Sequence, residues 1–435
     1  MILIRESRRT AREAFTRAVR SRPQGVTRAG VTITPALALA LALAVVTGVY
    51  WLIVMASTTS SPLWGTLDTE TGTAATEDSA GVTMAMFELN WASFEPSKGT
   101  FSDSYLATLR SELAAYTAAG QRVTLGLGTQ NAPSWVFSLA DSTYTDQNGT
   151  VSGEADWVFS AAVRTAALAY FDKIAADFPL TDFWAIRLTS GGDPEMLYPA
   201  GGTYWAFNPA ALTGRGLPAG MTANPFPRWK PGTAGLTQSQ IDQWVSWYIG
   251  GLDNVTNWQM QTLSRLGFTG YYETVTPGSG TRPDVLTQTE QQNLSNDGTT
   301  GVGAVWDRYY AQLPGKTNVI AYISSVADQS GGNDSCQPAD TTLPLTDDTM
   351  DAWSATRWIT RIAAADHLLV GGENPGRGMP ASLSSFETNT SSAGMMASAV
   401  RQARSCHFAV FYWAHDIDLW DGILPFTLYA TMTGG

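Results

Sequence analysis

The chain has 435 residues, 44% of them hydrophobic, with 16 Trp, 16 Phe and 15 Tyr, so it can bury a large core and is not a disordered polymer. Its 3 His and 2 Cys offer few ligands for zinc or an iron cluster and exclude a disulfide-dense scaffold. We therefore expect no metal and no cofactor, and the net charge of -12 disfavours a nucleic-acid partner.

The first element along the chain is a basic segment followed by an apolar run. Residues 1–30 carry eight arginines, and residues 35–55 contain no charge. A run of this length, at about 1.5 Å per helical residue, spans a bilayer core of roughly 30 Å. The arginines before it and the acidic body after it predict a cytoplasmic N-terminus. We therefore predict a cytoplasmic tail in residues 1–30, a single transmembrane anchor in the lipid bilayer at 31–56, and a tether at 57–62.

A cleaved signal peptide is the alternative to the anchor. Residues 54–56, Val-Met-Ala, suit a signal peptidase. The apolar run exceeds the usual core of a signal peptide, about 7–15 residues, and this favours the uncleaved anchor. In either case we expect the rest of the chain to be extracellular, as a membrane-bound or a secreted protein.

Residues 63–435 alternate short apolar runs with longer amphipathic stretches, which is the pattern of parallel βα units. One helical stretch has Ser102 as a candidate N-cap and Gly120 as a terminator. Eight candidate strands begin at Leu63, Val82, Arg122, Phe183, Gly270, Val319, His367 and His407.

This alternation predicts an α/β fold, a (β/α)8 TIM barrel with long βα loops over residues 63–435. The Gly- and Pro-rich stretch at residues 198–231 would be the loop after the fourth strand, and loops of this length are usually functional. A doubly wound open sheet is the alternative. It is disfavoured because no G-x-G-x-x-G follows a strand and no P-loop occurs.

Two glutamates stand at predicted strand ends. Glu195, in TSGGDPEMLYP, follows the fourth strand, and Glu373, in LLVGGENPG, follows the seventh. In a TIM barrel both would lie at the face that carries the chemistry. Paired carboxyl groups are what cleavage of a glycosidic bond requires. Other acids also follow strands, and each taken alone is more often structural or solvated; these are Glu88, Glu95, Glu273 and Asp328.

Tryptophans in the predicted loops favour a sugar cleft, because sugar rings stack on such faces. Trp135 follows the third strand, Trp205 and Trp229 lie in the long loop, and Trp413 ends the eighth strand. Ordinary packing of the loops on the barrel is the alternative for each of them.

A family resemblance runs over residues 63–420 and is clearest in residues 84–136, which contain W-x-x-x-E-P-x-x-G, a helix, a strand, and a loop ending in P-x-W. This segment resembles the second and third units of retaining TIM-barrel glycoside hydrolases, especially the family 42 β-galactosidase-like and family 5-like enzymes. The resemblance implies that Glu195 is the acid/base and Glu373 the nucleophile. These families usually place Asn before the acid/base, whereas here Pro194 precedes Glu195.

A second resemblance involves the same two glutamates. PEMLYP and GGENPG look like the motifs around the catalytic glutamates of β-amylases, which invert. An inverting site holds its carboxyl groups roughly 6.5–9.5 Å apart and a retaining site roughly 5–5.5 Å. The FEP segment favours retention.

We therefore predict a glycoside hydrolase acting on a neutral poly- or oligosaccharide. A non-catalytic carbohydrate-binding or envelope scaffold on a degenerate barrel is the alternative, and an esterase is disfavoured because no G-x-S-x-G motif occurs. Arg187 is a further candidate hydrogen-bond donor at the site. The candidate substrate contacts are Asn131, Trp135, Asp193, Trp205, Tyr272, Tyr322, Asn374 and Trp413.

The two cysteines, Cys336 and Cys406, lie in the part predicted to be extracellular. Oxidation there would most simply give one disulfide. Two separate buried thiols are the alternative, since sequence spacing alone cannot bring the two residues together.

Overall fold

Eight parallel strands close into a barrel in the computed structural model, which describes residues 61–295, 298–313, 317–329, 334–376 and 384–434. All strands of the described residues, in chain order, are β1 (Leu63–Thr66), β2 (Val82–Glu88), β3 (Arg122–Gly126), β4 (Thr143–Thr145), β5 (Val151–Ala155), β6 (Ala185–Leu188), β7 (Tyr271–Thr276), β8 (Val319–Ile323), β9 (Leu369–Glu373) and β10 (Val410–Trp413). β4 and β5 form a separate hairpin, and the other strands form the barrel. The order around the barrel is β1-β10-β9-β8-β7-β6-β3-β2, and pairing of β1 with both β10 and β2 closes it. The predicted (β/α)8 barrel is confirmed.

Helices cover the outside of the barrel and fill several loops. The α-helices are α1 (Ala74–Ser79), α2 (Trp91–Phe94), α3 (Asp103–Ala119), α4 (Ala161–Asp177), α5 (Pro209–Thr213), α6 (Gln238–Arg265), α7 (Pro283–Gln291), α8 (Gly298–Gly301), α9 (Trp306–Tyr310), α10 (Ala355–Asp366), α11 (Ser384–Glu387), α12 (Met395–Ser405) and α13 (Phe426–Thr433). Short 3-10 helices are Val136–Ser138, Leu180–Asp182, Pro338–Thr342, Asp348–Ala352 and Asp416–Leu419.

Side chains at the helix ends explain where the long outer helices begin and stop. The hydroxyl of Ser102 accepts the backbone N–H of Tyr105 at 3.3 Å, and Gly120 ends α3 with φ of 94°. That backbone angle is one glycine adopts without strain. The longest helix, α6, starts with a capping box between Thr237 and Gln240. The predicted cap and terminator of α3 are therefore confirmed.

Alternation along each strand decides which side chains fill the barrel interior. The interior cluster is largely apolar and consists of Leu67, Met84, Met86, Val275, Ile320, Tyr322, Val410, Tyr412 and Ala414. Their neighbours along the strands point outward and pack against the helices, as Phe87, Ile186 and Phe411 do. Along each strand, side chains that fill the barrel interior therefore alternate with side chains that form a second core between the strands and the helices.

Two loops at the carboxyl ends of the strands pack on one another. The loop after β3 contains the antiparallel hairpin β4–β5, which was not predicted. The predicted long loop after β6 contacts this hairpin: Phe207 donates its backbone N–H to Thr145 at 3.0 Å, and Tyr204 donates to the side chain of Gln147 at 2.7 Å. The hairpin therefore supports the loop that carries Glu195.

Cys336 and Cys406 are joined by a disulfide, with their Cα atoms 5.0 Å apart. The bond ties the segment that follows β8 to the residue after α12. The segment following β8 also contacts the candidate catalytic residues described below.

Within the described part of the chain, no helix is both long enough and apolar enough to cross a membrane. The predicted tail at residues 1–30 and anchor at 31–56 lie outside the described residues, as does most of the tether. Both therefore stay predictions.

Candidate active site

A cavity opens at the carboxyl ends of the barrel strands, where the sequence places its acids. We call this cavity the mouth; its volume is about 250 Å³. Its lining residues are Leu67, Asp68, Met86, Glu88, Gly126, Leu127, Gly128, Thr129, Gln130, Arg187, Thr189, Pro194, Glu373 and His415. A second cavity of about 820 Å³ shares Asp68, Met86 and Glu88 with the mouth and extends it towards α3.

Glu373 is the last residue of β9 and faces the mouth. Its Oε2 accepts a hydrogen bond from Nη2 of Arg187 and another from the Tyr322 hydroxyl, the latter at 2.5 Å. The Arg187 guanidinium lies over the Tyr322 ring, 4.4 Å from the ring centroid. A guanidinium and a phenol are thus directed at one oxygen, and both stabilise a negative charge there.

Glu195 lies in the loop after β6, and its carboxyl group is in a different environment. Ser324 donates its hydroxyl hydrogen to Oε1, and the backbone N–H of Glu195 donates to Asp193 at 2.9 Å. The pKa of Glu195 is raised to about 7, mainly by burial; the hydrogen bond from Ser324 opposes the rise, and the charges of Asp193 and Glu373 contribute to it. A carboxylic acid with such a pKa keeps its proton near neutral pH and can donate it.

The end of β8 and the residues after it connect the two glutamates. Tyr322 bonds to Glu373, and the backbone N–H of Val326 donates to the Glu373 carbonyl at 2.8 Å. Ser324, between them, bonds to Glu195. Sequence analysis did not find Ser324, because a serine after a strand carries no pattern of its own.

Glu88, at the end of β2, adds a further carboxyl group to the mouth. Its Oε1 accepts the side-chain N–H of Gln130 at 3.3 Å. Burial raises the pKa of Glu88 to about 7, against the effect of Arg187. A β-carbon at Gly126 would lie 1.6 Å from Glu88 Oε2, so only glycine leaves room for this carboxyl group.

Glu273 lies deeper, on β7, and is fully buried inside the barrel. Its Oε2 is 3.5 Å from Nε of Arg187. Burial raises the pKa of Glu273 to about 7, again against the effect of Arg187. Arg187 therefore lies between two carboxyl groups, Glu373 at the mouth and Glu273 beneath it.

At the rim of the mouth, His415 and Asp68 form an ion pair with Nδ1 and Oδ2 2.6 Å apart. This hydrogen bond raises the pKa of His415 and lowers the pKa of Asp68. Both side chains are substantially exposed, at 42% and 65%, so solvent screens the pair.

The structure brings together some of the predicted substrate contacts. Tyr322 lies at the mouth beside Glu373, and Asp193 lies beside Glu195. Asn131 is exposed in the loop after β3, next to Gln130, which lines the mouth. These residues stay candidates for contact with substrate.

Tyr272 and Trp413, two predicted substrate contacts, point away from the mouth in the structure. The Tyr272 hydroxyl bonds to Ser264 at 2.8 Å, in the interface between β7 and α6. Trp413 packs against Tyr429 of α13 with ring centroids 5.9 Å apart. In each strand the neighbouring residue faces inward, and alternation directs these two rings to the helices.

Trp205 and Asn374, also predicted substrate contacts, are both buried. Trp205 is 5% exposed, and its backbone N–H donates a hydrogen bond to the Tyr248 hydroxyl at 3.0 Å. Asn374 exchanges two hydrogen bonds with the backbone of Ala414, at 3.0 and 2.9 Å, and so joins the ends of β9 and β10. Neither side chain is available to a sugar.

Trp135 is placed elsewhere as well. It lines a separate groove of about 570 Å³ beside α4, together with Phe101 and Leu139. Its indole N–H donates to the carbonyl of Glu95 at 3.2 Å. Trp135 is therefore not among the residues that line the mouth, and its contact with a sugar stays a prediction.

No family model and no curated protein sequence matches the chain. Among solved structures, the catalytic domain of β-amylase from Paenibacillus polymyxa has a TM-score of 0.58 and 14% identity, covering 86% of this chain and 98% of that chain. The protein therefore shares the (β/α)8 barrel fold of that catalytic domain. The predicted resemblance is thus confirmed for the fold, while the particular family is not assigned.

Two further solved structures are similar at lower scores. The β-galactosidase from Marinomonas ef1 has a TM-score of 0.46 and 13% identity, over 71% of this chain and 48% of that chain. A GH5-4 broad specificity endoglucanase from an uncultured bacterium has a TM-score of 0.41 and 13% identity, over 84% of this chain and 85% of that chain.

Proposed function

We propose that the protein hydrolyses O-glycosidic bonds, with Glu195 as general acid/base and Glu373 as nucleophile. One observation carries the proposal: two carboxyl groups at the strand ends have opposite environments. Glu373 is held by a guanidinium and a phenol, whereas burial raises the pKa of Glu195 to about 7. Glycoside hydrolysis needs one carboxylate and one carboxylic acid in this arrangement.

The reaction would proceed in two displacements. Glu373 attacks the anomeric carbon, the bond to the leaving oxygen breaks, and Glu195 gives its proton to that oxygen. Water then attacks the glycosyl-enzyme while Glu195 takes its proton, and the sugar leaves with Glu373 restored as a carboxylate.

The hydrogen bonds of Glu373 support retention over inversion. Arg187 and Tyr322 both bond to Oε2, which fixes the carboxylate plane and directs Oε1 to be the attacking oxygen. A carboxylate that only activates water gains less from such fixed orientation. The fold shared with a β-amylase catalytic domain makes inversion the alternative that the product stereochemistry decides.

The charges around the mouth support a neutral substrate. Asp68, Glu88 and Glu373 line it, while the basic side chains of the lining, Arg187 and His415, are paired with Glu373 and Asp68. An anionic glycan would be repelled by these carboxyl groups. A neutral poly- or oligosaccharide fits this lining better.

The test is release of reducing sugar by residues 58–435 from β-galactan, arabinogalactan, β-mannan, xylan, β-glucan and starch. We expect release from one of them, and loss of that release in Glu373→Gln and Glu195→Gln. Glu290→Gln, on α7, is the matched control and should retain activity. NMR of the first product gives the anomer, and a retained anomer supports the double displacement.

Binding without release is the outcome that favours the non-catalytic scaffold. If a glycan binds equally to wild type and to Glu373→Gln, and neither releases sugar, the hydrolase proposal is rejected. Release that persists in Glu373→Gln contradicts the assignment of the nucleophile instead.

We further propose that residues 31–56 anchor the chain in a membrane, with the barrel on the extracellular side. The support is the uncharged run at residues 35–55, the arginines before it and the bond between Cys336 and Cys406. Protease added to intact cells that express the full chain should degrade the barrel. Protection of the barrel until the cells are lysed would contradict this topology.

A further inference from the structure

Glu273 is a buried acid that the proposed reaction does not use. It lies in the third position of β7 with its side chain 0% exposed, beneath the mouth. Arg187 is its ion-pair partner, with Nε 3.5 Å from Oε2. A buried carboxyl group either keeps its proton or, when ionised, needs a counter-charge beside it; Arg187 provides that charge for Glu273.

The two ends of the Arg187 guanidinium are directed at different carboxyl groups. Nε faces Glu273, while Nη2 donates to Glu373 and to the Tyr322 hydroxyl. The rings of Tyr322 and Tyr412 lie 4.4 and 5.8 Å from its central carbon. Because the guanidinium is planar and rigid, fixing Nε also fixes the direction in which Nη2 points.

Glu273 is itself held in place from the far side of the barrel. The Tyr412 hydroxyl lies 3.5 Å from Oε1 of Glu273 and 2.6 Å from the hydroxyl of Thr124. Thr124 and Tyr412 are fully buried. A connected set of contacts therefore runs from β3 and β10 through Glu273 to Arg187.

We propose that Glu273 is a positioning residue that acts through Arg187 to hold the Glu373 carboxylate in its attacking orientation. This inference rests on the proposed function, in which Glu373 is the nucleophile. Glu273 itself lies below the mouth and is not among its lining residues. Its effect should therefore appear in the chemical step more than in substrate binding.

A double-mutant cycle on the full chain tests the route through Arg187. We expect Glu273→Ala to lower kcat by about 10- to 100-fold, the cost of a small misplacement of a reacting group, with KM within about twofold. In an Arg187→Ala background the same change should cost less than about twofold, because the residue it acts through is gone. If Glu273→Ala lowers kcat by the same factor in the wild-type and Arg187→Ala backgrounds, the proposal is overturned.

The second test compares kcat of Glu273→Ala with kcat of Glu273→Gln, whose side chain has nearly the shape of the glutamate. Glu273→Gln keeps an oxygen for Nε and should retain kcat within about threefold of wild type, unlike Glu273→Ala. Equal losses in the two variants would overturn positioning by this contact. If Glu273→Ala does not fold, Glu273→Leu replaces it in the cycle. Glu77→Gln, a buried carboxyl group away from Arg187, is the control and should keep wild-type kcat.

Crystal structures separate this inference from the function on which it rests. In Glu273→Ala or Glu273→Leu, we expect Nη2 of Arg187 to leave Glu373, and an unchanged contact would contradict the inference. This readout needs no substrate. If wild type releases no sugar from any glycan, the proposed function fails, while the position of Arg187 still decides the structural claim.

Discussion

Two regions each hold two neighbouring carboxyl groups, but different partners stabilise them: one is the mouth with the barrel interior beneath it, and the other is formed by α1, β1 and the loop after β10. At the mouth, Arg187 lies between Glu373 and Glu273 and contacts both. In the second region, Glu77 lies beside Asp416, and we call these two residues the α1 pair. Both members of the α1 pair are fully buried.

Hydroxyl, amide and indole donors surround the α1 pair. Thr66 donates to Glu77 at 3.0 Å, and Asp416 accepts the backbone N–H of Glu70 at 2.6 Å and the indole N–H of Trp420 at 2.7 Å. Burial, together with the charge of Asp416, raises the pKa of Glu77 to about 8. Glu77 is therefore mostly protonated at neutral pH and needs no cation beside it.

The difference shows what a buried acid needs for each task. An acid that must attack a carbon has to stay ionised, and a guanidinium beside it makes this possible. An acid that only ties α1 to β1 and to the loop after β10 can be neutralised by its own proton. The following predictions test this contrast, from the largest expected effect to the smallest.

Removing the cation at the mouth should have the largest effect. Arg187→Met leaves Glu273 buried without its counter-charge, and we expect a loss of about 3–5 kcal/mol in the free energy of unfolding. Activity should fall with it, since Glu373 loses a donor. Urea denaturation followed by fluorescence measures the first effect. A loss below about 1 kcal/mol would show that Arg187 is not needed to stabilise these acids.

Changing Glu77 should alter stability in a pH-dependent way. A pKa raised from 4.5 to about 8 gives stability that is fully present below pH 4.5 and is lost as pH rises towards 8. Glu77→Gln keeps a neutral side chain throughout. Its free energy of unfolding relative to wild type should therefore increase between pH 4.5 and 8, by about 1.4 kcal/mol per pH unit at most. A constant difference in free energy of unfolding across this range would contradict the raised pKa of Glu77.

Removing the Ser324 hydroxyl, which donates a hydrogen bond to Glu195, should shift the pH profile of kcat/KM. The pKa of about 7 for Glu195 predicts that kcat/KM declines above about pH 7, as the acid loses its proton. Ser324 stabilises the ionised form, so Ser324→Ala should raise the pKa of Glu195 and move this decline to higher pH. The shift should be about one pH unit or less. A profile that moves to lower pH would show that Ser324 acts in another way.

Removing the exposed ion pair between His415 and Asp68 should have the smallest effect on the free energy of unfolding. His415→Gln removes the ion pair with Asp68, and we expect the free energy of unfolding to change by less than about 1 kcal/mol. Because this pair is screened by solvent, the change should shrink further in high salt. A large, salt-independent change would place His415 among the buried contacts.

Much of the fold was predictable because its signals are local. Apolar runs marked the eight strands, and Ser102 and Gly120 marked the ends of α3. The hairpin β4–β5 was missed because its strands are short. Its turn is stabilised by Asp146, which accepts the backbone N–H of Asn148 at 2.8 Å and of Thr150 at 2.7 Å. The Asn148-Gly149 dipeptide was an available signal.

The direction of individual side chains was less predictable. Tyr272 and Trp413 stand at strand ends, as a sugar contact would, but alternation turns them outward. Loop tryptophans such as Trp205 and Trp229 are buried under α6 and neighbouring loops, at 5% and 6% exposure. Burying a large ring stabilises the fold by several kcal/mol at about 25 cal/mol per Å², and sequence gives no sign of which ring stays open.

The sequence by itself determined the barrel and the placement of Glu195 and Glu373 at strand ends, because strand periodicity and chain order fix both. Only the tertiary structure decided which groups meet there. Arg187 and Glu373 are 186 positions apart, and Ser324 and Glu195 are 129 apart. Contacts at such separations depend on closure of the barrel, and so do the burial and neighbouring charges that set the protonation of each acid.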